Sequence, residues 1–290
     1  MKSLLDLVQL TALMERTSGR QEVRIGLIDG PVLLEHPDLA TGNIREVSST
    51  AGATCSRPNS LACLHGTSVA GILSAKRESL APAICPGCTL LVRPIFAETA
   101  TGNGGAPSAT SEQLAEAILE TINFGARVIN LSAALRLQHS TRGDQQLEEA
   151  LNHASSRGVI VVAAAGNQGS LGSSIITAHP WVISVAACNS KGYPVNDSNL
   201  GSSIGMRGLL APGENIRSLG TSREPGFFGG TSAAVPFVTG AIALLWSEFP
   251  TAQPNHIRLS VTSCRTSRRT SVVPPLLDAW TAYKMMTSLI

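Results

Sequence analysis

The sequence predicts an α/β fold, with a mainly parallel central sheet carrying helices on both faces. Two observations carry that expectation. Five short, nearly continuous apolar runs rich in Val and Ile, "VRIGLID" (23–29), "LLVRPIF" (90–96), "RVINLSA" (127–133), "VIVVAAA" (159–165) and "WVISVAA" (181–187), read as strands buried on both faces. Between them lie "HGTSVAGILSAK", "SEQLAEAILETINFG" and "DQQLEEALNHASSRG", each with helical spacing. Strands alternating with helices imply right-handed crossovers and a parallel sheet.

In chain order, residues 1–22 read as an amphipathic helical extension. Leu4, Leu5, Val8, Leu10, Leu13 and Met14 supply its apolar face, while Asp6, Glu15 and Arg16 argue against a signal peptide. Residues 23–290 read as one domain. The first strand ends on Asp29, and His65 is expected to open the helix "HGTSVAGIL". The cluster "TATGNGGAPSAT" (99–110) is a loop inside the domain. The next two helices end at Gly125 and Gly158, as helices often do. "AGNQG" (165–169) follows the fourth strand. The last long helix is announced by "GGTSAAVPFVTGAIALLW", with Ser232 at its tip and Pro236 in its tolerated first turn. "LDAWTAYKMM" has the spacing of a final packed helix.

Composition narrows the function. With 43% hydrophobic residues and 14% charged, the 290-residue chain can bury a sizeable core. A net charge of +2 is too small to name nucleic acid or an anionic membrane as partner. No run reaches the roughly eighteen apolar residues of a membrane span, and a cytoplasmic protein is expected. Six cysteines leave the redox question open. "CPGC" (85–88) has metal or redox spacing, but no second pair of that kind exists, so a local disulfide or two plain thiols is the expectation.

In open α/β sheets, ligands bind beyond the carboxyl ends of the strands. Asp29, Ser132, "AGNQG", His65 and Ser232 all belong to that edge. A serine hydroxyl becomes a nucleophile only beside a base, and the base needs an orienting carboxylate. Each residue alone has a plainer reading: Ser232 as a helix cap, Asp29 in a "DGP" turn, Asn167 in a "GNQG" turn. Taken jointly, they supply acid, imidazole, hydroxyl and amide.

"LIDGPVLLEHPDL", "HGTSVAGIL", "RVINLSAAL", "VVAAAGNQG", "LAPGENI" and "GGTSAAVPFVTGAIALL" resemble, in order, the signature blocks of the subtilisin-like serine proteases, over residues 23 to 246. "IDGPV…HP", "RPIF" and "GLLAPGENI" are most similar to the cyanobactin-type peptide maturation proteases, which cleave or macrocyclise ribosomally made precursors. The resemblance implies a three-layer sandwich. It makes Asp29 the orienting acid, His65 the general base and Ser232 the nucleophile. Asn167 matches the side-chain donor of the oxyanion hole. Ser132, Ala133 and Ala134 match an edge strand that pairs with an extended substrate, and Ala164, Ala165 and Gly166 match a wall of the pocket before the cut.

The chain departs from the pattern in places. Gly30 replaces the usual Ser or Thr after the acid, so one hydrogen bond to the carboxylate is lost or supplied elsewhere. Ser68 stands for a common second His, a change expected to touch packing. "SAA" (132–134) stands where the family has the glycines of the pocket wall, so Ala134 and Leu135 are expected to narrow the pocket. Asp38 matches a calcium ligand of many relatives, but "AKRESLAPAICPGC" occupies the place of the loop that completes that site, so no metal or other cofactor is expected. The 28 residues before Asp29 are too few for a folded inhibitory prodomain, which fits a dedicated processing role. The expected partner is a precursor peptide, cut by hydrolysis of an acyl-enzyme. The alternatives are a macrocyclase that resolves the acyl-enzyme with a peptide amine, and a peptide-binding pseudoprotease.

Overall fold

Among the described residues, seven parallel strands form the central sheet of the computed structural model, in the order β2-β3-β1-β5-β7-β8-β9. In chain order they are β1 (Arg24–Asp29), β2 (Ile44–Glu46), β3 (Thr89–Pro94), β5 (Val128–Leu131), β7 (Ile160–Ala164), β8 (Ile183–Cys188) and β9 (Leu209–Pro212). Two small ladders sit outside it. β4 (Ser108–Ala109) pairs in parallel with β6 (Ala134–Leu135), and β10 (Ile216–Ser218) forms an antiparallel hairpin with β11 (Gly226–Phe228). The structure describes residues 3–39, 41–47, 55–98, 108–132, 134–135, 141–222, 226–263 and 271–289.

The inner strands are buried on both faces, and their side chains divide by the two-residue period of the pleat, whereas the edge strand β2 is half-buried to exposed. Ile25 and Leu27 of β1, Val128 of β5, and Ile160 and Val162 of β7 join one core, with helix α3 (Leu61–Ser74) and α8 (Thr231–Glu248). Ile28, Ile129, Leu131, Val161 and Ala163 join the other, with α4 (Ser111–Asn123) and α5 (Thr141–Ser156). This is the expected three-layer α/β sandwich. α4 opens with a capping box between Thr110 and Gln113. Gly125 and Gly158 follow α4 and α5 with φ of 83° and 68°, a conformation that favours glycine. Short α6 (Ile175–Ala178) and α7 (Ser202–Arg207) complete the α5 side, and α9 (Pro254–Thr262) and α10 (Ala279–Leu289) close the chain. Among the described residues no helix is long and apolar enough to cross a membrane.

Several elements differ from the sequence reading. The N-terminal segment forms two short helices, α1 (Leu4–Leu7) and α2 (Thr11–Arg16), because Gln9 turns the chain with φ of 56°. Val8, Leu10 and Leu13 are fully buried in the α3/α8 core. α3 begins at Leu61, not at His65, because Ser60 caps it by accepting from the Cys63 N–H. Pro236 lies beyond the first turn of α8. β2 and β9 are short edge strands whose residues carry no long apolar run.

Candidate active site

Asp29 ends β1 with its side chain fully buried, and its Oδ1 lies 2.5 Å from Nδ1 of His65. What brings them together is a close approach of backbones. A Cβ on Gly30 would lie 2.0 Å from the Ala62 carbonyl oxygen, and one on Gly66 would lie 2.3 Å from the Gly30 oxygen. α3 therefore packs its first turns directly on the loop that leaves β1. The same crowding explains why residue 30 carries no hydroxyl. Asp29 Oδ1 also accepts from the Gly30 N–H at 2.6 Å, while the buried Oδ2 has no hydrogen-bond partner among the described residues.

The imidazole of His65 keeps 19% of its side chain exposed. Burial disfavours its charged form, but the charge of Asp29 and its hydrogen bond prevail, and the pKa is raised above its usual 6.5. Two phenyl rings stand edge-on to it, Phe228 at 5.0 Å and Phe96 at 6.2 Å between centroids. Phe228 comes from β11, whose hairpin is fixed to α3 by hydrogen bonds from Ser68 Oγ to Leu219 O and from Ser218 Oγ to Ser68 O. Ser68 is thus a packing contact.

Ser232 stands in the first turn of α8, and the helix cap is Gly230, with φ of 84° and no side-chain cap bond. The serine hydroxyl is consequently not consumed in capping. It donates to the Ser132 carbonyl oxygen at 3.2 Å. The nearby polar chain was not legible in sequence. Proline has no N–H, so Pro236 leaves the Ser232 carbonyl without its helical partner. Ser132 Oγ donates to that carbonyl at 3.5 Å, Asn130 Nδ2 donates to Ser132 Oγ at 2.8 Å, and Thr239 Oγ1 donates to Asn130 Oδ1 at 3.0 Å. All four residues are buried. The signal for this chain was a polar Asn in an apolar strand and a Thr in an apolar helix.

Asn167 is exposed, beyond the end of β7. Its Oδ1 accepts from Thr231 N–H at 2.8 Å and Thr231 Oγ1 at 3.1 Å. A backbone donor demands the oxygen, so Nδ2 is the face left to donate to an incoming group. Thr231 Oγ1 in turn accepts from the Gly166 N–H at 3.2 Å. Ala164 ends β7, Ala165 is buried, and Gly166 adopts φ of 104°. Ala133 lies outside the described residues, and of Ala134 only the backbone is described, pairing with Ser108. His179 is buried and held by Asn152 and the Trp181 N–H, a structural position.

The subtilase family model matches residues 20–271. Subtilisin amylosacchariticus from Bacillus subtilis subsp. amylosacchariticus is 30% identical over 264 residues, covering 89% of this chain and 64% of that protein. The chain thus spans less than two thirds of that relative's length. Among solved structures, the protease domain of PatA superposes with a TM-score of 0.82 at 30% identity, covering 94% of this chain and 98% of that one. The prenylagaramide maturation protease PagA gives 0.80 at 26% identity, covering 95% and 98%.

Proposed function

The chain belongs to the subtilase family, and from that premise we propose that it is a serine endopeptidase cutting a specific, ribosomally made precursor peptide. The observation that carries this reading is the buried Asp29–His65 pair at 2.5 Å, facing the same sheet edge as the uncapped hydroxyl of Ser232. In the proposed reaction the hydroxyl leaves the Ser132 carbonyl and gives its proton to His65 Nε2 as Oγ attacks the scissile carbonyl. The imidazolium is stabilised by Asp29. The oxyanion accepts from Asn167 Nδ2 and from the Ser232 N–H at the helix tip. His65 then protonates the leaving amine, and water resolves the acyl-enzyme by the same route.

A precursor peptide as substrate is supported by the likeness to PatA and PagA, which are described as maturation proteases. No metal has a part in the scheme. Next to Asp38 in the chain, Pro37 accepts at its carbonyl from the exposed Lys76 ammonium at 2.6 Å, and a positive charge there disfavours a second cation.

The test is mass spectrometry of candidate precursor peptides after incubation with the protein, with Ser232→Ala and with Asn167→Ala. We expect fragments from the unmutated chain and none from Ser232→Ala, whose kcat should fall by about 10⁶. Asn167→Ala should lose about 2.7–4 kcal/mol of transition-state stabilisation in kcat. A product lighter by one water identifies a macrocyclase instead, and binding without turnover identifies a peptide-binding module.

A further inference from the structure

Cys55 and Cys63 form a disulfide with a Cα–Cα distance of 5.5 Å, and its placement ties the two halves of the acid–base pair together. On one side, the Cys55 N–H donates to the Val32 carbonyl, in the loop that leaves Asp29. On the other, Cys63 sits in the first turn of α3, two positions before His65, with its N–H on the capping Ser60. Glu98 fastens the intervening segment. Its carboxylate accepts from the Ser56 N–H and hydroxyl, the Arg57 N–H and the Ser60 hydroxyl. Those four donors already occupy the carboxylate, so the Cys55–Cys63–Glu98 group is a brace and not an ion cage.

We propose that Cys55–Cys63 is a thiol–disulfide exchange site whose co-substrate is a small dithiol or a protein dithiol, and that the closed bond is required for the productive Asp29–His65 geometry. The proposal rests on the reading of His65 as the base. Cys55 has 8% of its surface exposed and Cys63 none, so the incoming thiolate attacks the Cys55 sulfur. The S–S bond breaks, a mixed disulfide forms at Cys55, and Cys63 leaves as thiolate. Its position in the first turn of a helix suits a leaving thiolate, because helix N-termini lower thiol pKa values. The second thiol of the reductant then displaces Cys55. The balance is one protein disulfide and one dithiol giving two protein thiols and one oxidised dithiol. The freed 55–60 segment loses its covalent hold on α3, and the base loses its register with the acid.

The experiment treats the whole protein with dithiothreitol under native conditions. Alkylation and peptide mapping follow the opening of Cys55–Cys63, while kcat on a cleavable peptide and the His65 imidazole NMR signals are recorded. The expected result is a loss in kcat of roughly tenfold or more with little change in KM, the scale on which small misplacements slow enzymes. The His65 signals should shift, and both effects should reverse on reoxidation. Opening of the bond with unchanged kcat and unchanged His65 signals overturns the proposal, as does a bond that no dithiol opens in the folded protein. If the protein cleaves no peptide in either state, the protease reading fails, and the His65 signals still report whether the bond sets the imidazole. A Cys55→Ser, Cys63→Ser double variant that folds should behave as the reduced protein.

Discussion

The two halves of the candidate site, the proposed acid–base pair and the proposed nucleophile with its amide, are built on different principles. Asp29 and His65 are held by backbone lying on backbone, through Gly30 and Gly66, with a disulfide alongside. Their 2.5 Å contact is already made. Ser232 and Asn167 are held by side chains that bond to backbone, and the serine hydroxyl rests on the Ser132 carbonyl. The first half tolerates no added atom. The second is a set of exchangeable hydrogen bonds, which suits a hydroxyl that has to change partner during a reaction. In the proposed reaction one half supplies a preassembled base, and the other supplies the movement.

The sharpest way to break that contrast is Gly30→Ala. Its new Cβ would sit 2.0 Å from the Ala62 oxygen, a backbone atom that cannot swing aside, so α3 must retreat from Asp29. We expect kcat to fall by about 10²-fold, as for a displacement of about 1 Å, together with a lower Tm. An unchanged Tm and kcat would mean that the backbone contact does not position the base. On the other half, Thr239→Val leaves Asn130 Oδ1 buried without its donor. That should cost about 1–3 kcal/mol of stability, read from denaturant unfolding. kcat should fall modestly and recover in Thr239→Ser, because the helix stays in place and only the tether is lost. Equal damage from both variants would show a plain packing role.

The smallest effect is the dependence on pH. The folded state raises the pKa of His65, so it favours the protonated imidazole. The stability this supplies is fully present below the unfolded value of 6.5 and is lost as pH rises through the raised folded value. In the proposed reaction activity runs the other way, since only neutral imidazole accepts the serine proton. kcat/KM should therefore climb with an apparent pKa above 6.5 while Tm declines, and Asp29→Asn should move the midpoint down. A pH–rate profile beside a thermal series checks both signs.

In both halves the candidate residues could be read in advance, and the contacts that hold them could not. Asp29, His65, Asn167 and Ser232 stood out because polar residues that border apolar runs are conspicuous in a linear pattern. The absence of a hydroxyl at residue 30 was equally plain, and the unpartnered Oδ2 of Asp29 matches it. The tether from Thr239 through Asn130 to Ser132 was not readable. It joins residues more than a hundred positions apart, and its need arises only from the carbonyl that Pro236 leaves free. The start of α3 was misplaced because a cap at Ser60 is recognisable only once Cys63 is known to be helical.

Periodicity by itself determined the layers of this protein. Runs of Val and Ile can be satisfied only between two apolar faces, and Gly125 and Gly158 mark places where the chain must adopt a positive φ. Those are local properties of the chain. Only the tertiary structure decided which hydroxyl meets which carbonyl, that Cys55 pairs with Cys63 while Cys85 and Cys88 stay free, and that Gly230 caps α8 in place of Ser232. Each depends on how closely two distant backbones approach, and that distance is set by the packed whole.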